Sequence, residues 1–569
     1  MDTATPNTLD GGEAVVQGFR SLGLDYVMAS PGSEWGGVWE AFARQKISNS
    51  PGPTYLSCAH ETLAVDLAIG YTVVTGRMQA VMLHTGVGLL QGAVGIDGAN
   101  RLGIPMVVLS GEALTYGEKA GFNPGAQWQA NLSVVGSPHR LAEPIVKWST
   151  QASSTETVYQ QVVAAGELAQ RTPTGPTYLG VPIETQLNEW TPPDSFRDAP
   201  PPSKPHAPLA EIDTLAKMLA EAKNPAIVAE AAGREPEGFQ ALVELAELFG
   251  LPVVAGAQTN WNSFPKDHPL FVGFGQPEFL DECDLIVTIR CRGPWNPPSN
   301  KPKNAKIVAI DETPFRSFMV HHAAQAEMFL EGDAVQTMRL LADALRANGI
   351  DGAAVAARKE RWGAEHEKLA AANREAVARV AGNGKIHPIT LFNALGENLP
   401  ADTFYVDETI THRGLLVRHL NNNLPHTYFR PMGGLGQGLG VSLGVKLAAK
   451  ERPVVLVVGD GSFMYNPVIQ SLAFSHHEGL PIMVIVSNNN GYNAMKKEHA
   501  AFYPQGVSAD NNLYFGHPVT DLEYSELPKL FGGYGRRVEK ADELADALKG
   551  GLEAINSGRT ALLNVMVDP

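Results

Sequence analysis

Short, unbroken apolar runs that end in glycine- or asparagine-rich turns constrain this chain more than any other feature. VVLVV (Val454–Val458) runs into Gly459-Asp460-Gly461, and PIMVIV (Pro481–Val486) runs into Ser487-Asn488-Asn489. Runs this short cannot cross a bilayer, which takes about 20 residues. An apolar run without alternation is what a strand needs when both faces of a parallel sheet are covered by helices. Glycine fills 57 of 569 positions, and much of it follows such runs. Tight strand-to-helix turns require that. The expected fold class is therefore α/β, built of doubly wound parallel sheets.

Punctuation along the chain divides it. Between Thr191 and Pro208, seven of eighteen residues are proline, which rules out both helix and central strand. The Ala-rich, charged stretch from about Asp351 reads as one long helix, broken at Gly382-Asn383-Gly384. Three domains follow, at 1–190, 205–345 and 385–569. The outer two echo each other. In the first, a strand runs into His84-Thr85-Gly86, then a helix, then Gly103-Ile104-Pro105 and another strand. In the third, Gly459-Asp460-Gly461 and Gly479-Leu480-Pro481 sit at matching places, which predicts a duplicated unit. The middle domain alternates strand and helix without the glycine-rich turns. Asp311, after its strand AKIVAID, reads as a strand-end cap rather than a ribose contact.

The charge balance narrows the function. Lys+Arg is 44 and Asp+Glu is 60, a net charge of −16, which disfavours nucleic acid or an anionic membrane as partner. Three cysteines, Cys58, Cys283 and Cys291, support no disulfide framework and point to a reducing, cytoplasmic compartment. The N-terminal MDTATPNTLDGGEAVV has neither the basic nor the apolar region of a secretory signal.

The chemistry concentrates in VVGDGSFMYNPVIQSLAFSHHEGLPIMVIVSNNNGYN. Asp460 closes one strand, and Asn488 and Asn489 close the next. In a parallel sheet those ends lie side by side, at the edge where ligands bind. A carboxylate, an amide oxygen and a backbone carbonyl suit a hard octahedral cation such as Mg²⁺. Glycines let the backbone approach a diphosphate, and the helix after Ser462 would aim its N-terminus there. No GK[ST] is present, so this is no Walker loop.

The segment resembles the thiamine diphosphate enzymes of the pyruvate decarboxylase and acetolactate synthase superfamily, and the resemblance extends over the whole chain. It implies a pyrimidine-binding first domain, a non-catalytic central domain and a diphosphate-binding third domain. It implies thiamine diphosphate and Mg²⁺ as cofactors, with Asp460, Asn489 and the carbonyl of Gly491 as metal ligands. Gly459, Gly461, Ser462, Thr409, Thr411 and Tyr492 are implied cofactor contacts. Cys58-Ala59-His60-Glu61 precedes a small-residue helix, which assigns Glu61 to the aminopyrimidine N1′. A carboxyl group there drives the 4′-amino group to its imino form, the base that generates the C2 ylide. In Met432–Gly440, Gly433 would offer its carbonyl to the 4′-amino group, and Leu435 would wedge the two rings into a V.

Three motifs are most similar to benzoylformate decarboxylase. Ser30-Pro31-Gly32-Ser33-Glu34 resembles a turn whose serine, here Ser33, contacts the substrate carboxylate. Leu83-His84-Thr85 resembles a turn whose histidine, here His84, moves protons at C2, a task suited to an imidazole. Pro144–Ser149 is the third. Three departures stand against them, of which one is Gly86-Val87-Gly88 in place of that family's small Ser/Ala run. Arg290–Trp295 lacks the second histidine of that family, and Glu498-His499 make the pocket more polar. Trp128-Gln129 is similar to a phenylalanine–glutamine pair of acetolactate synthases, which puts Gln129 in the pocket. The resemblance thus implies decarboxylation of a 2-oxo acid through an enamine, with a carboligase joining the enamine to an aldehyde or ketone as the alternative. It implies a homodimer or homotetramer with active sites between subunits. A degenerate, non-catalytic member would be expected to lose Glu61, Asp460 or Asn489, and a plain dinucleotide-binding protein would carry G-x-G-x-x-G after a strand.

Overall fold

The computed structural model describes residues 9–112, 123, 125–130, 132, 137–316, 325–381, 384, 386–516, 518, 519 and 522–568. The expected helix break at Gly382-Asn383 lies outside them. The strands form three six-stranded, all-parallel sheets. The first holds β1 (Tyr26–Ser30), β2 (Thr54–Ser57), β3 (Gln79–Leu83), β4 (Met106–Glu112), β5 (Trp148–Gln151) and β6 (Pro176–Pro182), in the order β2-β1-β3-β4-β6-β5. The second holds β7 (Pro225–Ala229), β8 (Val253–Ala255), β9 (Phe271–Phe274), β10 (Leu285–Ile289), β11 (Lys306–Asp311) and β12 (Met328–Glu331), in the order β12-β11-β10-β7-β8-β9. The third holds β13 (Phe404–Glu408), β14 (Tyr428–Phe429), β15 (Val454–Gly459), β16 (Met483–Asn488), β17 (Tyr534–Val538) and β18 (Ala561–Met566), in the order β14-β13-β15-β16-β18-β17.

Counted within each domain, the first and third sheets share one order, 2-1-3-4-6-5. That identity supports the duplication read from the turns. Both apolar runs named above are central strands, buried almost throughout, as a sheet covered on both faces demands. In the middle sheet, Asp311 is buried and accepts the Thr313 amide at 2.7 Å. It caps the strand end, as expected.

The chain forms two compact units. One comprises Met1–Ser203, Pro431–Lys450 and Met464–Leu480, with the first sheet; the other comprises Lys204–Arg430, Glu451–Phe463 and Pro481–Pro569, with the second and third sheets. The segments Pro431–Lys450 and Met464–Leu480 thus fall in the same unit as the first sheet. The reason is the packing of helix Gly438–Ala448 on helix Glu61–Thr75. A Cβ at Gly70 would stand 2.1 Å from the Val441 carbonyl oxygen, and one at Gly444 2.2 Å from that of Leu67. Small residues on both helices let the backbones touch. In the second unit, the long helix Gly352–Val380 buries Trp362 and His366, and His366 Nδ1 lies 2.9 Å from the Phe271 carbonyl oxygen.

Candidate active site

The functional side chains fall at strand ends, because side chains within these strands are committed to the core. In the first unit, β1, β3 and β4 run side by side, and one row across them pairs Ser30 with Leu83 and Leu83 with Ser110. The candidate residues named from the sequence lie just beyond that row. His84 follows β3. Its Nδ1 lies 2.8 and 2.9 Å from the two carboxylate oxygens of Glu34, which is buried to 1% exposure. Glu34 also accepts the Thr85 amide at 3.1 Å. Trp35, next to it, is fully buried and donates its indole N–H to the Leu83 carbonyl at 2.8 Å, which fixes the turn against β3. The Glu34 hydrogen bond raises the His84 pKa above its ordinary value against the pull of burial, and the charges of Glu34, Glu61 and Glu112 add to the rise. With Nδ1 held by Glu34, Nε2 is the ring nitrogen left to exchange protons.

Glu61 is the first residue of its helix and is half-buried. It meets His84 across Gly88: a Cβ there would stand 2.9 Å from His84 Cβ and 3.3 Å from Glu61 Oε1. Ser33 is exposed in the adjoining turn, and its hydroxyl takes a hydrogen bond from the Gln127 amide. Gln129 is exposed on the short helix Ala126–Gln129, and the amide that reaches Ser33 is that of Gln127. The loop leading into helix Gly438–Ala448 also belongs to this unit. Gly433 adopts φ +125°, and a Cβ on it would meet the Val94 carbonyl oxygen at 2.5 Å. Only glycine fits there. Leu435 is half-buried.

The second unit holds the oxygen donors. Asp460 follows β15 and opens the helix Asp460–Tyr465, so that helix starts at the carboxylate itself and not after Ser462. Its Oδ2 accepts the Gly491 amide at 2.9 Å. Burial pushes the Asp460 carboxyl up to about 6 although backbone N–H groups oppose the rise. Asn489 Oδ1 is buried without a hydrogen-bond partner. Asn488 is committed elsewhere: its amide donates to Asn564 at 3.0 Å, and its oxygen accepts the Asn490 amide at 3.0 Å in a turn where Asn490 has φ +54°. Gly461 sits against Tyr492, and a Cβ there would lie 2.3 Å from the ring. Gly459 is half-buried and Ser462 buried.

A buried carboxylate whose pKa burial raises and a buried amide oxygen with no hydrogen-bond partner suit a hard cation. With the Gly491 carbonyl, these residues fit Mg²⁺. Among the described residues no group of three or more His, Cys, Asp or Glu forms a metal cluster, so this mixed oxygen set is of a different kind from a carboxylate or histidine cage. Thr409 is less suited to its expected role. Its hydroxyl donates to Asp407 at 2.6 Å, which leaves no proton for a phosphate. Thr411 is half-buried. Glu498 is exposed on helix Asn493–Phe502, and His499 packs edge-on to Tyr503 and Tyr514 with centroids 5.8 and 5.5 Å away.

Three family models match the chain. They are the N-terminal TPP binding domain, the central domain and the C-terminal TPP binding domain of the thiamine pyrophosphate enzymes, over residues 9–133, 212–341 and 411–565. The fold is thus that of a thiamine diphosphate-dependent enzyme. The chain belongs to the thiamine pyrophosphate enzyme family, in its decarboxylase and acetolactate synthase branch. It is 25% identical over 578 residues to the acetolactate synthase isozyme 3 large subunit of Escherichia coli K12, covering 98% of this chain and 95% of that one. It is 24% identical to the sulfoacetaldehyde acetyltransferase of Alcaligenes xylosoxydans xylosoxydans, covering 97% and 92%. In fold it is similar to the benzoylformate decarboxylase of Polynucleobacter necessarius, with TM-score 0.78, 21% identity and 98% of each chain covered. The 4-hydroxybenzoylformate decarboxylase of Rhodococcus jostii RHA1 gives TM-score 0.77 at 22% identity, covering 98% and 99%. No helix among the described residues is long and apolar enough to cross a membrane.

Proposed function

We propose that this enzyme decarboxylates a 2-oxo acid, with thiamine diphosphate held through Mg²⁺. The observation that carries the reading is the Glu34-held His84 beside Glu61. Bound thiamine diphosphate supplies a nucleophilic thiazolium carbon and an electron sink. Asp460, Asn489 and the Gly491 carbonyl would hold the cation that offsets the diphosphate charge. Glu61 holds a proton at the aminopyrimidine N1′ and so makes the 4′-nitrogen a base. His84 Nε2 protonates the substrate oxygen when the carbonyl is attacked and recovers the proton at release. Ser33 orients the substrate carboxylate.

A carboligase is the second reading. It is favoured by the full-length similarity to acetolactate synthases and to an acetyltransferase. A panel of 2-oxo acids, with and without aldehyde acceptors, separates the two when both CO₂ and coupled product are read. CO₂ with free aldehyde supports the lyase. Product formed only with an acceptor moves the assignment to the carboligase. Glu61→Gln tests the site itself: C2 hydrogen–deuterium exchange of the bound cofactor should slow before any substrate is added.

A further inference from the structure

Thr85 is the N-cap of helix Gly86–Leu102, yet its hydroxyl makes no cap hydrogen bond. A threonine at that position ordinarily gives its side-chain oxygen to the first amides of the helix. Here Thr85 Oγ1 donates instead to Glu112 Oε2 at 3.0 Å. Glu112 ends β4 and is 2% exposed. Its other oxygen accepts the Ser110 hydroxyl at 2.6 Å and the Tyr178 hydroxyl at 3.2 Å. Three hydroxyls therefore converge on one buried carboxylate. The same Thr85 gives its backbone N–H to Glu34, the partner of His84. Glu34 lies over β4 only because residue 111 is glycine: a Cβ there would stand 2.3 Å from Glu34 Cγ. The two carboxylates are thus joined through the one residue that follows His84.

We infer that Glu112 is a positioning residue for His84, acting through Thr85: it fixes the backbone amide that orients Glu34, and so the imidazole that Glu34 holds. The inference rests on the reading of His84 as the proton-transferring group. A carboxylate serving only the Ser110 and Tyr178 hydroxyls would have no need of Thr85, whose hydroxyl gives up its usual cap to reach it. The negative charge also lies close enough to matter. The carboxylates that face His84 are Glu34 from the Ser33–Trp35 turn, Glu61 from the helix Glu61–Thr75 and Glu112 from β4, and each favours the imidazolium.

The test needs no substrate. The full chain without cofactor is labelled at histidine Cε1, and the His84 signal, one of 16 histidines, is assigned with His84→Asn. Its titration midpoint and shift are then followed by NMR in the wild type, Glu34→Gln, Glu112→Gln and Thr85→Val. The expected result is a lower midpoint in Glu34→Gln and a smaller lowering in Glu112→Gln. Thr85→Val, which cuts the link and keeps both carboxylates, should alter the His84 shift. Combining it with Glu112→Gln should add nothing beyond Glu112→Gln alone. If Glu112→Gln leaves the midpoint and shift at wild-type values while Glu34→Gln moves them, the inference is overturned, and Glu112 serves the Ser110 and Tyr178 hydroxyls alone. Should Glu112→Gln fail to fold, Thr85→Val decides alone, and an unchanged His84 signal overturns the inference. A His84→Ala variant that turns over like the wild type removes the reading of His84, while the NMR result still decides whether Glu112 acts on the ring.

Discussion

Two residues carry opposite kinds of electrostatic tension, and each yields a prediction. Glu34 favours the protonated form of His84. A histidine with a raised folded pKa contributes stability that is complete below about 6.5, the unfolded value, and is lost as pH rises through the folded value. Glu34→Gln removes the main cause of the rise and leaves burial, which acts the other way. The limb of the pH–rate profile that requires protonated His84 should therefore move to lower pH. His84→Ala should lower turnover by about 10²–10⁴-fold and leave C2 exchange nearly intact. An unmoved limb in Glu34→Gln would deny the pair its role. Asp460 is the reverse case, a carboxyl pushed up to about 6 by burial. Its ionisation costs the cofactor-free fold about 3 kcal/mol at neutral pH, a cost that shrinks as pH falls toward 4. Asp460→Asn should therefore stabilise the cofactor-free protein by about 1–3 kcal/mol at pH 7, and by less at pH 5. The same change should abolish Mg²⁺-dependent thiamine diphosphate retention. Thermal unfolding at both pH values, beside cofactor binding with and without Mg²⁺, checks both halves.

At the scale of elements, the loop carrying Gly433 and Leu435 depends on its seat against helix Gly86–Leu102. A Cβ at Gly98 would stand 1.7 Å from the Met432 carbonyl oxygen. Alanine favours a helix interior over glycine by about 1 kcal/mol, but a contact that short must move backbone, and overpacking of this kind costs about 1–3 kcal/mol. The clash wins. Gly98→Ala should lower the thermal midpoint modestly and weaken cofactor binding by about tenfold or more through displacement of the loop. Unchanged cofactor affinity in a folded Gly98→Ala protein would show that the loop's seat is not needed. The helix was readable from GVGLLQGAVGIDGANRL, but Gly98 looked like any other small residue. Its partner is more than three hundred residues away in the chain, and no local pattern marks such a meeting.

At the scale of the molecule, the same helix shows Val87, Leu90 and Val94 at 36, 48 and 43% exposure, spaced to lie on one face. An exposed apolar stripe beside the candidate site residues suits burial against a second copy of the chain, which is what the resemblance implies. The wild type should then scatter light as a dimer or larger assembly, and Leu90→Asp with Val94→Asp should scatter as a monomer and lose activity. Doubly substituted protein that stays assembled would place the interface elsewhere.

The sequence by itself determined the α/β class, the proline-rich linker, the long helix and the duplication, because these depend on period, punctuation and local turn chemistry. It also marked Asp460 and Asn489, since strand ends in a parallel sheet lie at one edge whatever the rest of the chain does, while Glu61 and His84 were marked by the motifs of the resemblance. Tertiary structure alone decided which neighbours those residues have. Glu34 was legible only as part of the Ser33 turn, and Glu112 gave no signal at all. Glu34 reaches His84, and Glu112 reaches the neighbouring Thr85, because β1, β3 and β4 pair in one register, with Ser30, Leu83 and Ser110 in a row. Likewise Asn488 and Asn489 are alike in sequence. One is spent on Asn564 and its own turn, and the other keeps a buried oxygen unmatched. Register and burial are properties of paired strands and packed layers, and no single strand contains them.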